Sequence, residues 1–205
     1  MKSRGHRRRK PRTRCRPIRA VPNAPFNLFF FSPYSAEQNL GKALNFYMEL
    51  APRDEDWVCF FDRDVIFLTP DYGHQIAEII KRHPEAGLFT CLTNRIGCHS
   101  QLYQGKLSED PDILHHRRIA LILGRKYRHG VREISAPVSG FFMALKKKVW
   151  REVKFDEKMR LLDVDWNFTR RLSAKGYPIF LMKGLYVFHF YRLDAGPAEV
   201  AHLTG

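Results

Sequence analysis

Short apolar runs separated by segments of helical period constrain this chain more than any other feature. The runs are Phe26–Phe31 (FNLFFF), Trp57–Phe61 (WVCFF), Val65–Leu68, Gly87–Leu92, Ser139–Leu145 (SGFFMAL), Ile179–Met182 and Tyr186–Tyr191 (YVFHFY). Continuous runs this short suit buried strands. Between the first two, Ser35 and Gln38 have capping-box spacing, and Leu40, Ala43, Leu44 and Tyr47 follow helical i, i+3, i+4, i+7 spacing. Thr69-Pro70 reads as an N-cap with proline at the first helical position; Ile76, Ile79 and Ile80 form that helix's apolar face, and Pro84 ends it. Residues 93–112 are polar and turn-rich, a loop beside a binding site, and residues 113–128 form a basic amphipathic helix. A last helix spans Val164–Ala174, with Asp163 at the N-cap position and Gly176 past its end. Strands alternating with helices indicate an α/β domain with a mostly parallel central sheet flanked by helices. In such sheets ligands bind at the carboxyl ends of strands.

The chain has 205 residues and a mass of 24.1 kDa. That suits one domain, over residues 23–195, between a basic tail (1–22) and a short C-terminal tail (196–205). The net charge of +14 is concentrated in the first tail. Residues 1–20 hold ten Lys and Arg and no acid, so the rest carries 25 basic against 21 acidic residues, or +4. A segment with almost no apolar residues cannot bury a core, so disorder is expected there. Its chemistry suits an anionic partner, either nucleic acid or a membrane surface. The sequence contains no apolar stretch long enough to span a bilayer and no signal-peptide pattern. Cys15, Cys59, Cys91 and Cys98 lack metal-site or disulfide-scaffold spacing. The expected location is cytoplasmic, with peripheral attachment to a membrane surface left open.

Chemistry first appears at Asp62-Arg63-Asp64, where an apolar strand delivers two carboxylates at its carboxyl end. Alternation along an extended chain would put both on one side. Paired carboxylates suit a hard divalent cation, Mg²⁺ or Mn²⁺, which in turn bridges a diphosphate; a polar turn after a strand is the plainer alternative. His189 interrupts an otherwise aromatic strand, where a neutral imidazole would complete a metal site with Asp64 or serve as a core histidine. Asp163 and Asp165 open a helix, whose N-terminus favours ionised carboxylates. Asp163 suits a capping role, and Asp165 suits either a first-turn acid or a proton acceptor.

Together these pieces resemble the GT-A-fold glycosyltransferases, family 2 in particular, over about residues 26–192. Asn39-x-Gly41, Asn45 and the strand into Asp62-Arg63-Asp64 are similar to that family's approach to its D-x-D motif. Ser139-Gly140-Phe141-Phe142-Met143, Val149-Trp150 and Phe155-Asp156-Glu157 resemble its sugar- and acceptor-lining segment. Val164-Asp165, Arg171 and Gly176-Tyr177 resemble its E-D…R…G-Y pattern, with valine where the family has glutamate. The Tyr186–Arg192 stretch resembles the segment that carries a metal-binding histidine in many GT-A enzymes.

The resemblance implies a metal-dependent enzyme that moves a sugar from a nucleotide-diphospho-sugar to an acceptor hydroxyl with inversion. The acceptor class stays open among glycan, lipid-linked sugar, protein and nucleobase. The implied metal ligands are Asp62, Asp64 and His189, and the implied base is Asp165. The expected donor contacts are Asp62, Arg63, Ser139 and Gly140, joined by Asn94 and Arg95 from their position just after a strand. Only one strand and one helix precede D-x-D, less than the family's nucleotide-binding region, so Pro33, Tyr34, Asn39 and Lys42 are expected to rebuild the base-binding half. A nucleotidyltransferase-like enzyme also uses paired carboxylates, and a basic nucleic-acid-binding protein would draw on the tail and on Arg117, Arg118, Arg125, Lys126 and Arg128.

Overall fold

The computed structural model describes residues 25–159, 163–191 and 193. The expectations for the tails 1–22 and 196–205 lie outside the described residues. The elements are β1 (Leu28–Phe31), α1 (Leu40–Glu49), β2 (Trp57–Phe61), β3 (Val65–Phe67), α2 (Tyr72–Arg82), β4 (Leu88–Thr93), α3 (Ile113–Tyr127), β5 (Val131–Glu133), β6 (Phe142–Lys146), α4 (Lys147–Glu152), α5 (Val164–Ala174) and β7 (Ile179–His189).

The strands form one open seven-stranded sheet in the order β1-β2-β6-β4-β7-β3, with β5 also pairing with β7. The domain is α/β as expected, but the sheet is mixed. Only β1·β2 and β4·β7 pair in parallel; β2·β6, β4·β6, β3·β7 and β5·β7 are antiparallel. The expectation of a mostly parallel sheet fails on its connections. A parallel neighbour needs a long crossover, usually helical. β3 instead follows β2 after a three-residue turn, and β6 follows β5 through a loop that contains a cis Ala136–Pro137 peptide. Both strands therefore run against β2, β4 and β7.

Side-chain alternation along β2 divides the core. Trp57 and Cys59 pack with Ile76, Ile79 and Ile80 of α2 on one face. Val58 and Phe60 pack with Leu44 and Met48 of α1, Trp150 of α4, and Phe168 and Leu172 of α5 on the other. Each large apolar side chain buried this way contributes roughly 1.5–3 kcal/mol. A third, smaller cluster joins Ala120 and Leu123 of α3 to Tyr186 and Phe188 of β7 and to Leu68.

Helix starts depart from the capping patterns in the sequence. The α1 cap is Asn39, whose side chain accepts from the Lys42 amide; Ser35 Oγ in turn accepts from the Asn39 amide at 2.8 Å. Gln38 has a left-handed φ of 54°, which rules out the helical conformation a capping box requires there. α2 begins at Tyr72, after the expected Thr69-Pro70 start. The two late apolar runs are one strand: β7 carries a bulge between Met182 and Tyr186, opposite Cys91/Leu92 of β4. At Gly184 in that bulge, a Cβ would lie 2.6 Å from the Tyr127 carbonyl oxygen, so the position admits no side chain without movement. No helix among the described residues is long and apolar enough to cross a membrane.

Candidate active site

β2 ends at Phe61, and Asp62-Arg63-Asp64 leaves the strand as a tight turn closed by the Val65 amide donating to the Asp62 carbonyl. The turn is anchored at both ends. The Asp62 amide donates to Phe141 O just before β6, and the Phe190 amide donates to Asp64 O just after β7. The two carboxylates are thereby set across from the last residue of β7. The extended-chain argument does not apply to them; the turn brings both to His189.

His189 is fully buried. Its Nε2 lies 3.3 Å from Asp64 Oδ1 and 3.8 Å from Asp62 Oδ2. One ligand atom from each of the three residues falls within 4.8 Å of the others. The ring is held from behind: Nδ1 lies 3.0 Å from the Arg95 carbonyl oxygen, an acceptor, which assigns the Nδ1 proton. In the neutral ring Nε2 therefore presents its lone pair to the carboxylates. That nitrogen is buried and lacks a hydrogen-bond partner, because the approach to Asp64 has ion-pair distance without hydrogen-bond alignment. Phe141 and Tyr191 stack on the imidazole with centroids at 5.5 and 5.4 Å.

Asn94 fixes the strand end that carries this ring. Its Oδ1 accepts from the His189 amide at 2.7 Å, and its Nδ2 donates to the His189 carbonyl at 3.1 Å. Arg95 is buried, donates through Nε to the Tyr191 carbonyl at 2.8 Å, and pairs with Glu109 at 2.6 Å.

Asp165, in the first turn of α5, lines the same cleft as Asp62, Asp64 and His189. Its Oδ2 accepts from the Gly140 amide at 2.6 Å, and its Oδ1 accepts from the Trp166 amide at 2.9 Å. A Cβ at residue 140 would sit 2.9 Å from the Asp165 Cβ, so this approach depends on glycine. The Ser139-Gly140 segment is held by buried Gln101, which donates to Ser139 O and Thr90 Oγ1 and accepts from the Ser139 amide. Asp163 occupies the N-cap position in a left-handed conformation (φ 61°) and makes no side-chain capping bond. Its expected capping role is therefore not met, and it lines the cleft instead.

The electrostatics separate the acids. Enclosure by the cleft walls pushes the Asp62 carboxyl up; His189 opposes this, and the negative charges of Asp64 and Asp165 reinforce it. The Asp62 side chain still meets the solvent of the cleft, being 54% exposed. When protonated, the His189 ring is the largest influence on Asp64 and holds its carboxyl below the usual range, against the effect of burial. Asp165 is raised by burial, which outweighs the two amide donors.

The cleft has a volume of about 840 Å³. Of the residues expected from sequence, Pro33, Asp62, Arg63, Asp64, Ser139, Gly140, Asp165 and His189 line it. Asn94 and Arg95 stand behind His189. Tyr34 is 75% exposed and is not among the lining residues. Asn39 caps α1 and donates to the Glu157 carbonyl at 2.8 Å, and Lys42 pairs with Glu37 at 2.8 Å. These two secure helix α1 and its surroundings, while Leu40 and Leu44 of the same helix face the cleft. Sequence reasoning missed the supporting residue Gln101, because a buried glutamine in a short 3-10 turn carries no local signal.

Two carboxylates and an imidazole nitrogen form a mixed O/N donor set that suits Mg²⁺ or Mn²⁺. A buried lone pair aimed at two carboxylates is electrostatically satisfied by a proton or a cation between them, so the residues fit a metal. A comparison of the chain with protein-family models finds no match, and a comparison with curated proteins finds none either.

Proposed function

We propose that the chain is a GT-A-like, metal-dependent glycosyltransferase that moves a sugar from a nucleotide-diphospho-sugar to an acceptor hydroxyl with inversion. One observation carries this reading. The Asp62, Asp64 and His189 donor set, with its buried unpartnered Nε2, shares a single cleft with Asp165. A bound divalent cation would neutralise the diphosphate leaving group.

The chain's own residues divide the remaining work. Asp62, Asp64 and His189 would hold the cation, and the Asn94 and Arg95 contacts orient the imidazole that would complete the set. Arg63, beside them at the cleft, supplies positive charge for the diphosphate. Leu40, Leu44, Phe60 and Met143 give the cleft an apolar wall that limits water near the donor. Asp165 accepts the proton of the acceptor hydroxyl as the new C–O bond forms and the bond to the diphosphate oxygen breaks. Its amide donors from Gly140 and Trp166 fix the carboxylate's direction.

The test is a thermal-shift and calorimetric screen of the purified protein with UDP, GDP, CDP and dTDP, each with and without Mn²⁺. A nucleotide that stabilises only with metal is the expected result and names the donor class. In a transfer assay with that donor, Asp165→Asn is expected to lower turnover by about 10²–10⁴-fold while metal and donor still bind. Full transfer by this variant would remove Asp165 from the base role. Release of pyrophosphate in place of a nucleoside diphosphate would replace the whole reading with nucleotidyl transfer.

A further inference from the structure

Helix α3 packs on β7, and its exposed side has an unusual composition. His116, Ala120 and Leu123 turn inward and are buried. On the outward side Leu114 is 61% exposed and Ile122 60%, with Leu121 at 38% and Ile113 at 37%. Between them stand Arg117, Arg118, Arg125 and Lys126, and the helix contains no acidic residue. Positions 114, 118, 121 and 125 are spaced along one ridge, which reads Leu-Arg-Leu-Arg. None of the ion pairs among the described residues uses Arg117, Arg118 or Arg125. The acids just before the helix are already engaged: Glu109 with Arg95, Asp112 as the N-cap, and Asp110 beside His115.

We propose that the outward face of α3 docks on the surface of an anionic lipid bilayer. The aliphatic residues would enter the headgroup–acyl boundary, and the arginines would lay their stems beside them and reach lipid phosphates. This proposal is independent of the reading of the cleft. The composition favours a bilayer over the alternatives. A nucleic acid would satisfy the arginines and leave Leu114 and Ile122 in water, since phosphate contacts need no aliphatic partner. A second copy packed on this face by two-fold symmetry would set arginines against arginines with no acid on the helix to pair them. The ten Lys and Arg of residues 1–20 would add to the attraction for the same surface.

The experiment is co-sedimentation of the full chain with phosphatidylcholine vesicles, with and without phosphatidylserine, at low and high salt. High salt screens the tail's electrostatic contribution and leaves the apolar one. The parent is expected to bind phosphatidylserine-containing vesicles. L114S/I122S is expected to partition about tenfold less at both salt concentrations. R118E/R125E is expected to lose binding mainly at low salt. All four positions are exposed, so both variants should keep the parent's melting temperature, measured by circular dichroism. The proposal is overturned if the parent does not bind vesicles, or if L114S/I122S binds as well as the parent at both salts. It is replaced by a nucleic-acid surface if single-stranded RNA binding falls in R118E/R125E while vesicle binding does not respond to L114S/I122S. A concentration-dependent dimer in sedimentation that L114S/I122S abolishes would replace it with self-association.

Discussion

The two ends of β2 each carry carboxylates, and they are built on opposite principles. At the N-terminal end, Asp56 is fully buried and saturated with donors. It accepts from the Asn27 amide at 2.7 Å, the Arg53 amide at 3.0 Å, and Arg53 Nε and Nη2 at 3.1 and 2.8 Å. At the C-terminal end, Asp62 and Asp64 face each other, a histidine nitrogen and Asp165. Burial works against the ionised Asp56, yet Arg53 and the two amides keep its carboxyl below the usual range. At Asp62 burial works in the same direction, the neighbouring acids add to it, and the carboxyl is raised. One end of the strand is satisfied by its own chain. The other is an arrangement that, on the proposed reading, a cation from outside would complete, and the contrast is between an acid that holds the fold and acids available to a ligand.

The strongest attack on the contrast is Asp64→Ala. With Mn²⁺ in hundredfold excess over its dissociation constant, the parent's stability should rise by about 2.7 kcal/mol by mass action. The variant should lose that gain while its metal-free melting temperature stays at or above the parent's. A metal-dependent shift of equal size in the variant would show that the ion sits elsewhere. Asp56→Asn should do the reverse, costing about 2–3 kcal/mol in urea unfolding with metal affinity untouched, because charge-assisted bonds are lost inside the protein. A cost below about half a kcal/mol would mean the donors find water instead.

The pH dependence sharpens the same comparison. Asp56 has a lowered folded pKa, so its contribution to stability is complete above the unfolded value near 3.9 and is lost as pH falls through the folded value. Asp165 has a raised pKa, and the base role proposed for it requires the ionised form. The acid limb of turnover should therefore lie above the ordinary aspartate range, at a pH where the stability supplied by Asp56 is still intact. A limb that tracks the unfolding curve would show that rate loss is only denaturation. The smallest expected effect is Gln101→Ala. Loss of the tether to Ser139 should lower turnover more than it lowers metal affinity, because it loosens the Gly140 donor to Asp165 and leaves β7 in place.

Which parts were legible in the sequence follows from the range of the interactions. WVCFF and the i, i+3, i+4 pattern of α1 are local signals, and both elements formed where expected. β5 has only three residues, with two exposed, and α4 only six, so neither carries a recognisable period. Strand direction is set by connections, and the antiparallel insertion of β6 between β2 and β4 has no local trace. At the site, Asp62, Asp64 and His189 were each legible as candidate ligands from local residue chemistry, and Asp165 as a candidate base only through the family resemblance. The supports were not: Asn94 and Arg95 act through backbone atoms of distant residues, and Asn39 and Lys42 serve α1. Asn45 and Gly41 belong to that second group. The Asn45 amide bridges Trp150, Phe155 and Glu157, and a Cβ at Gly41 would lie 2.4 Å from the Asp156 carbonyl oxygen.

Strand β7 pairs with β4, β5 and β3 and is the latest of the strands in chain order. During synthesis the other six strands emerge before it. Until residues 179–189 leave the ribosome, β4 has an open edge, and β3 and β5 have no strand to pair with. A nascent chain in that interval would present apolar strand edges of the kind that recruit chaperones or other chains. The arrival of His189 closes this interval, so the same residue that would complete a metal site also marks the moment the sheet can close.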